Sequence, residues 1–249
     1  MSSYLSGNYS VLTDKGRVRK VNEDSAQCAV NAFGNVLLVI ADGMGGATKG
    51  DVASSKLVEH LIKTFRNLEE EFKNAKVAMK WLNKVIEEAN AKIFKIAESD
   101  PSFKGMGTTL SACLIIKDNL ITAQVGDSRI YRLGEEFEQI SVDQTYVNYL
   151  INVKKISPKE ANSHPDRHKI TNAVGTKPNL NVDIRLFEYH GERLLLCSDG
   201  LYNNVPLKDM VGILKGNDSL DRKCIQLIAF GNANGGSDNM AVIIWEANK

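Results

Sequence analysis

Three aspartates in this sequence stand close to a glycine at the edge of an apolar run. Asp42 follows residues 36–41, Asp199 follows residues 194–198, and Asp238 comes just before residues 240–244. Short apolar runs predict buried strands, which hold side chains rigidly, and a nearby glycine lets carbonyl groups and water approach an acid closely. Carboxylate oxygens are the ligands that Mg²⁺ and Mn²⁺ prefer. The pattern therefore predicts a site for hard divalent cations.

Each aspartate taken alone has a simpler explanation, because Asp-Gly is a common turn dipeptide. Further acids occur in similar settings. One is the acid pair Glu23-Asp24, and another is Asp127, which stands between glycine and serine after an apolar run. Five unrelated turns of this kind would be a coincidence. Repetition therefore favours one shared site over separate turns.

The composition is that of an ordinary globular protein. With 249 residues, 43% of them hydrophobic and 24% charged, the chain is long enough for one large domain with a substantial core. We expect residues 1–249 to form a single catalytic domain. The 31 basic and 30 acidic residues nearly balance, and no run of Lys and Arg is interleaved with aromatics. We therefore expect a monomer with no nucleic-acid and no membrane partner.

The cysteines and the N-terminal segment indicate a reducing compartment. Cys28, Cys113, Cys197 and Cys224 are far apart and form no Cys-x-x-Cys pair, which favours buried free thiols over zinc or redox chemistry. The first residues lack the basic segment and apolar core of a signal peptide, and no apolar stretch approaches the ~20 residues of a membrane span. We expect a cytoplasmic location.

Apolar periodicity predicts a β-rich chain interrupted by two long helices. Short turns between the strands favour antiparallel pairing and one α+β domain with helices packed on a large antiparallel core. The predicted strands are 8–13, 26–30, 36–41, 108–116, 120–125, 130–133, 137–140, 181–187, 192–197 and 239–246, and the predicted helices are 50–67, 77–96, 207–214 and 219–232.

Residues 143–180 differ in character from the strands on either side. Residues 143–145 can cap a short helix that continues through Leu150, and Ser157 to Glu160 resemble a capping box with Pro158 at the first helical position. The remainder is polar. We expect this segment to be mobile and exposed.

Several motifs together resemble the bacterial branch of the metal-dependent protein phosphatases, the type 2C serine/threonine phosphatase family. They run in order along almost the whole chain, and their combination is specific although each one alone is weak. The resemblance implies a four-layer αββα sandwich, two antiparallel sheets flanked by helix pairs. The motifs are Thr13-Asp14-x-Gly16-x-x-Arg19-x-x-Asn22-Glu23-Asp24, Asp42-Gly43-Met44-Gly45-Gly46, Gly107-Thr108-Thr109, Val125-Gly126-Asp127-Ser128-Arg129, Ser198-Asp199-Gly200 and Gly236-Ser237-Asp238-Asn239.

The resemblance also implies metal ligands. Asp42 would bridge two Mn²⁺ or Mg²⁺ ions, the carbonyl of Gly43 would bind one of them, and Asp199 and Asp238 would complete the other. Such a pair of ions neutralises a phosphomonoester and acidifies a shared water.

Three further acids have secondary roles in the same resemblance. Glu23 and Asp24 would hold metal-bound waters and so fix the nucleophile for in-line attack. Asp127, with Asp199, would contribute to a third and weaker metal site. The alternative for Asp127 is an ordinary turn acid in Gly-Asp-Ser.

Arg19 occupies the position where the family places a guanidinium on the substrate phosphate, and its planar fork suits two phosphoryl oxygens. The alternatives are a plain surface arginine at this position, or Arg17 in the same role. Both remain open from the sequence.

The sequence departs from family patterns at three positions. Met44 stands where animal members have a histidine, so no imidazole there can protonate the leaving alkoxide, and a metal-bound water is the alternative acid. Ala47 and Asp51 stand where bacterial members usually have His and Glu, which puts local packing or substrate contact in doubt.

We expect solvated or locally bonded side chains for the four histidines, His60, His164, His168 and His190.

These observations predict an enzyme that removes phosphate from phosphoserine and phosphothreonine in proteins, without a covalent phosphoenzyme, since no nucleophilic cysteine motif is present. A cognate serine/threonine kinase is implied as its opponent. The segment 143–180 resembles the family's flap beside the catalytic cleft, where it would admit diverse phosphopeptides. Two alternatives are a catalytically silent phosphatase-like module that binds phosphoproteins, and a small-molecule phosphatase.

Overall fold

The computed structural model describes residues 6–45 and 49–248. Predictions about residues 1–5, Gly46 and Ala47 lie outside this part. The strands are β1 (Gly7–Asp14), β2 (Asp24–Val30), β3 (Val36–Met44), β4 (Gly107–Thr108), β5 (Leu110–Ile116), β6 (Asn119–Val125), β7 (Arg129–Leu133), β8 (Phe137–Gln139), β9 (Asp183–Glu188), β10 (Arg193–Cys197) and β11 (Met240–Ala247). The α-helices are α1 (Gly50–Arg66), α2 (Ala75–Ser99), α3 (Tyr146–Asn152), α4 (Pro158–Asn162), α5 (Asp199–Asn204), α6 (Leu207–Lys215) and α7 (Leu220–Ala233).

Two antiparallel sheets face each other and are covered by helices on their outer sides. One sheet has the order β2-β3-β5-β6-β9, with β4 paired to the end of β3, and the other has the order β1-β11-β10-β7-β8. Side chains alternate along each strand. In β3, Leu38 and Ile40 pack between the sheets with Leu196 and Ile243, whereas Val39 and its outward neighbours pack under α1 and α2.

The second sheet is covered by α6 and α7, whose apolar residues pack against the outward faces of β10 and β11. The four-layer αββα sandwich implied by the resemblance is therefore confirmed. All four cysteines are buried and free, as the sequence predicts. Among the described residues, no helix combines the length and the apolar character that crossing a bilayer requires.

The helices α1 and α2 form an antiparallel pair on the first sheet. The predicted periodicity is confirmed, with Leu57, Leu61 and Phe65 of α1 and Leu82 and Ile86 of α2 fully buried. Asn74 caps α2 by accepting a hydrogen bond from the backbone N–H of Val77. The helix ends just before Pro101, which opens a short 3₁₀ turn.

One local prediction at the site is wrong, and one element there was not predicted. The strand predicted to end at residue 41 continues to Met44, because Gly43 and Met44 pair with the two residues of β4. Asp42 therefore lies inside a strand and not in a turn after it. The helix α5 was not predicted, since its six residues are too few to show a helical period.

Parts of the segment 143–180 are buried in the core, whereas the sequence predicted an exposed insertion. Its capping box is present, with Ser157 N–H donating to Glu160 Oε2 at 2.7 Å. Much of its middle is exposed, but Leu150 and Val174 are buried. Val174 exchanges backbone hydrogen bonds with Thr108 at 3.0 and 2.8 Å. The prediction that the whole segment is exposed is therefore wrong, because its C-terminal part pairs with β4 through Val174.

Candidate metal centre

Carboxylates from both sheets meet at one end of the sandwich. Asp24 and Asp42 are directly opposite one another in the β2–β3 pair. Asp199 is the first residue of α5, immediately after β10, and Asp238 lies just before β11. A cavity of about 560 Å³ lies here, and its lining includes Asp42, Asp199, Asp238, Asp127, Glu23 and Arg19.

Ser198 connects Asp24 to the opposite sheet. Its hydroxyl donates to Asp24 Oδ2 at 2.6 Å and accepts from the backbone N–H of Ala241 at 2.8 Å. The other oxygen, Asp24 Oδ1, is buried without a hydrogen-bond partner in the described structure. A buried oxygen of this kind calls for a further partner such as a bound water or a cation.

The backbone of Asp42 is held on both sides by two threonines. Thr109 accepts from the Asp42 N–H through Oγ1 at 3.0 Å, and its own N–H donates to the Asp42 carbonyl at 2.8 Å. The Thr108 hydroxyl donates to the same carbonyl at 2.9 Å. The Gly-Thr-Thr motif, for which no role is evident from the sequence, thus fixes the strand that carries Asp42.

The start of α1 lies directly against Gly43. Glu23 Oε1 accepts from the Gly50 N–H at 2.9 Å, and the Gly43 N–H donates to the Glu23 carbonyl at 3.1 Å. A Cβ atom on Gly50 would come within 2.5 Å of the Gly43 carbonyl carbon and 2.7 Å of Glu23 Oε1. Glycine at position 50 is what allows this approach.

Asn239 fixes the segment that carries Glu23 and Arg19. Its side chain is buried, accepts from the Glu23 N–H at 2.9 Å, and donates to the carbonyls of Lys15 and Val21 at 2.8 and 2.9 Å. Its place in a family motif was evident from the sequence, but this function was not. The partners are more than two hundred positions away, so no local pattern could indicate them.

Arg19, and not Arg17, reaches the cavity. The Arg19 Nη2 donates to Asp238 Oδ2 at 2.7 Å, and its side chain is 49% exposed. Arg17 does not line the cavity, and its backbone N–H donates to the Gly236 carbonyl at 2.8 Å. The guanidinium at position 19 is therefore close to the carboxylates and about half exposed to solvent.

Asp127 lies at the side of the cavity nearest to α5. Its carbonyl accepts from the Tyr202 hydroxyl at 3.2 Å. The Arg129 guanidinium stands 3.6 Å from the centre of the Tyr202 ring and forms a two-point ion pair with Asp143, at 3.0 Å through Nε and 2.8 Å through Nη2. Arg129 is thus directed to Asp143, which leaves the Asp127 carboxylate facing the cavity.

The electrostatics of the cavity favour cations. Burial, and then the neighbouring carboxylates, raise the pKa of Asp42 well above its usual range, and burial is likewise the largest cause that raises the pKa of Asp199. Burial also raises the pKa of Asp24 and of Asp127 to about 7. Like charges held together in a low-dielectric site resist ionisation unless opposite charge is supplied.

The donor set fits hard divalent cations by its chemistry, since it consists of carboxylates and a backbone carbonyl. In the described part of the chain, no three His, Cys, Asp or Glu side chains already surround a single point. Asp238 is instead turned to Arg19, so a bound cation would draw its remaining ligands from the Gly43 carbonyl and from water. Asp42 and Asp199 both line the shared cavity.

One histidine lies closer to the site than its spacing indicates. His168 lines the cavity and is exposed, as the prediction of a solvated side chain expects; it is one of the groups that oppose the rise in the pKa of Asp199, which is caused mainly by burial. The segment 143–180 folds back over the site and brings it there, which no spacing in the sequence indicates. Met44 also lines the cavity, so the family's histidine position is apolar here.

Comparison with known proteins identifies the family. The family model described as protein phosphatase 2C matches residues 15–241. The serine/threonine phosphatase Stp of Listeria welshimeri is 37% identical over 238 residues, covering 95% of this chain and 94% of the relative. The chain belongs to the protein phosphatase 2C family.

Solved structures agree with this assignment. The Streptococcus agalactiae serine/threonine phosphatase superposes with a TM-score of 0.91 at 34% identity, covering 98% of this chain and 100% of the other. The catalytic domain of the phosphatase PstP, solved in complex with two manganese ions, superposes with a TM-score of 0.84 at 31% identity, covering 98% of this chain and 99% of the other. The predicted fold and family are confirmed.

Proposed function

We propose that this chain is a metal-dependent serine/threonine protein phosphatase that hydrolyses phosphoserine and phosphothreonine in proteins with two Mn²⁺ or Mg²⁺ ions. One observation carries the proposal. Asp24 and Asp42 on one sheet and Asp199 and Asp238 on the other meet at a single end of the sandwich. Family membership and the two manganese ions of the PstP catalytic domain support it.

The ligand assignment is the one that the family resemblance implies. Asp42 would be shared by both ions, the Gly43 carbonyl would bind one of them, and Asp199 and Asp238 would complete the other; all four residues line the cavity, which supports the proposal. When bound, such ions would neutralise the charge of the phosphate and lower the pKa of a coordinated water. Asp127 would contribute to a third, weaker site.

The chain's own residues bind the substrate and orient the attacking water. Arg19 is half-exposed and reaches the cavity, so it can leave Asp238 and hold two phosphoryl oxygens through its planar fork. Glu23 and Asp24 would hold metal-bound waters beside the ligands, and the Ser198 hydroxyl, which donates to Asp24 Oδ2, orients Asp24. No described cysteine lines the cavity, in keeping with direct attack by water.

The biological setting is part of the same proposal. We expect one catalytic domain spanning residues 1–249, with residues 143–180 as a mobile flap that admits diverse phosphopeptides. The protein would act as a cytoplasmic bacterial monomer in signalling, opposite a serine/threonine kinase. The named phosphatases among its relatives support phosphoproteins as the substrate class.

Metal dependence and two substitutions test this function. Purified protein freed of metal should hydrolyse p-nitrophenyl phosphate and a phosphothreonine peptide only after Mn²⁺ or Mg²⁺ is added. Asp42→Ala and Asp199→Ala should each lower kcat/KM by at least about 10³-fold, since several kcal/mol of transition-state stabilisation depend on the ions. Asp221→Ala, an exposed position on α7, should retain full activity.

The outcomes separate the alternatives. Circular dichroism should show that all three variants are folded. Metal-independent turnover that survives Asp42→Ala would refute the two-ion mechanism. Tight phosphopeptide binding without turnover, at any metal concentration, would instead identify a silent binding module.

A further inference from the structure

The outer face of the α1–α2 pair carries a groove away from the catalytic cavity. We call it the α1–α2 groove, and its volume is about 570 Å³. Its floor includes Ala89, Ile93 and Ile96 of α2. Its rim carries four lysines, namely Lys56, Lys63, Lys92 and Lys95.

The rim has an excess of positive charge. All four lysines are exposed. Within residues 6–45 and 49–248, none of them forms an ion pair, and the only side-chain partner found for any of them is His60 Nδ1, 3.3 Å from Lys92 Nζ. Lys84 of α2, which lies outside the groove, pairs with Glu88 at 3.9 Å.

The acidic residue Glu59 also lines the groove, so the lining holds four lysines against one carboxylate. Four ammonium groups around an apolar floor match a ligand that carries several negative charges beside an apolar side chain. The aliphatic stems of the lysines extend the apolar surface, while their charged ends stay in water.

The groove leads toward the catalytic cavity. α1 begins at Gly50, which lies against Gly43, and α2 continues through Pro101–Phe103 to Met106, next to Gly45. Because the helices are antiparallel, these two ends meet at the same side. At 1.5 Å per residue, Lys56 and Lys63 lie about 9 and about 20 Å from Gly50 along the axis of α1.

We propose that the α1–α2 groove docks an acidic segment of the phosphoprotein substrate, with carboxylates on the four lysines and one apolar side chain on the Ile93 floor. The inference rests on the proposed function and adds a second recognition point to it. An extended chain covers about 3.3 Å per residue, so roughly 3 to 6 residues is the shortest spacer between docked segment and phosphorylated residue. Docking raises the effective concentration of the phosphate at the cavity without altering the chemical step.

A pair of matched phosphopeptides provides the test. Both carry one phosphothreonine and a ten-residue spacer, followed in one by Glu-Glu-Leu-Glu-Glu and in the other by Gln-Gln-Leu-Gln-Gln. Kinetics are measured for the wild type, for Lys56→Glu/Lys95→Glu in the groove, and for Lys76→Glu/Lys80→Glu. The last pair makes the same charge change at exposed positions of α2 outside the groove.

The acidic peptide should have a KM about 3- to 10-fold lower than the glutamine peptide with the wild type, the range expected for several exposed ion pairs. The kcat should be equal for the two peptides. The advantage should vanish in the groove variant, persist in the control variant and shrink as salt is raised from 0.05 to about 0.5 M. Turnover of p-nitrophenyl phosphate should be the same for all three proteins.

Three results would overturn the proposal. One is an equal KM for both peptides with the wild type, and another is an acidic advantage that survives in the groove variant. The third is a groove substitution that abolishes binding to phosphatidylserine vesicles while leaving the peptide kinetics unchanged, which would assign the lysines to a lipid surface. If the metal-loaded wild type did not hydrolyse p-nitrophenyl phosphate at all, that result would instead count against the proposed function itself.

Discussion

Asn239→Ala is the substitution that most directly tests how the cavity is built. The side chain makes three hydrogen bonds, one to the Glu23 N–H and two to the carbonyls of Lys15 and Val21. Each bond contributes about 0.5–1.5 kcal/mol net, so we expect the free energy of unfolding to fall by roughly 2–4 kcal/mol. The hydrogen bonds lost are those that hold the segment carrying Arg19 and Glu23 in place.

The effect on activity should be larger than simple destabilisation explains. A displacement of about 1 Å in a catalytic group can cost about 10²-fold in rate. We therefore expect kcat/KM to fall by about 10- to 100-fold under conditions in which the variant is still fully folded. Urea unfolding gives the stability, and kcat and KM are measured with p-nitrophenyl phosphate at saturating Mn²⁺.

Asn234→Ala is the matched control. Its side chain lies in the same connection between α7 and β11 and makes one exposed bond, to the Asn204 carbonyl at 2.8 Å. It should change stability by less than about 0.5 kcal/mol, as surface substitutions usually do. If Asn239→Ala matched this control in both stability and kcat/KM, the idea that Asn239 anchors the substrate-binding segment would be refuted.

Two further predictions concern charge and space. In the folded protein the pKa values of Asp24 and Asp127 are raised from 3.8 to about 7. The folded, metal-free protein therefore binds more protons than the unfolded chain, and its free energy of unfolding falls as pH rises from about 4 to about 7. The loss is at most about 1.4 kcal/mol per pH unit for each group. Chelator-treated protein should thus have a higher Tm at pH 5.5 than at pH 8, and Mn²⁺ at pH 8 should restore it; a metal-free Tm that climbs toward pH 8 would contradict this. Gly50→Ala should destabilise the protein and reduce turnover because its Cβ would press on Gly43, whereas Gly212→Ala, in open space within α6, should stabilise by about 0.4–1 kcal/mol; equal thermal shifts for the two variants would disprove the close approach.

The sequence predicts those parts of the site that depend on local pattern. Apolar runs mark β3 and β10, and an acid beside glycine at the end of each run marks Asp42 and Asp199. Helical spacing likewise predicts α1 and α2, because their buried faces repeat over many residues. The resemblance then supplies roles that no spacing could supply.

The features that the sequence does not indicate all depend on distant contacts. Ser198 bonds to Asp24, Asn239 bonds to Glu23, and Thr109 holds Asp42 from 67 positions away. The extension of β3 through Asp42 requires β4, a strand of only two residues. Contacts between residues so far apart produce no periodic pattern in the sequence. A polar residue at one of these positions therefore does not indicate which distant residue it will bond.

The pairing of β1 with β11 has a consequence for how the protein is made. These strands pair along their whole length, from Gly7 opposite Ala247 to Asp14 opposite Met240. Asp238 lies two residues before β11, so the acids of β2 and β3 emerge from the ribosome long before it does. With the proposed ligand set, a nascent chain would therefore have an incomplete metal site until this last part of the chain has been translated and paired with β1.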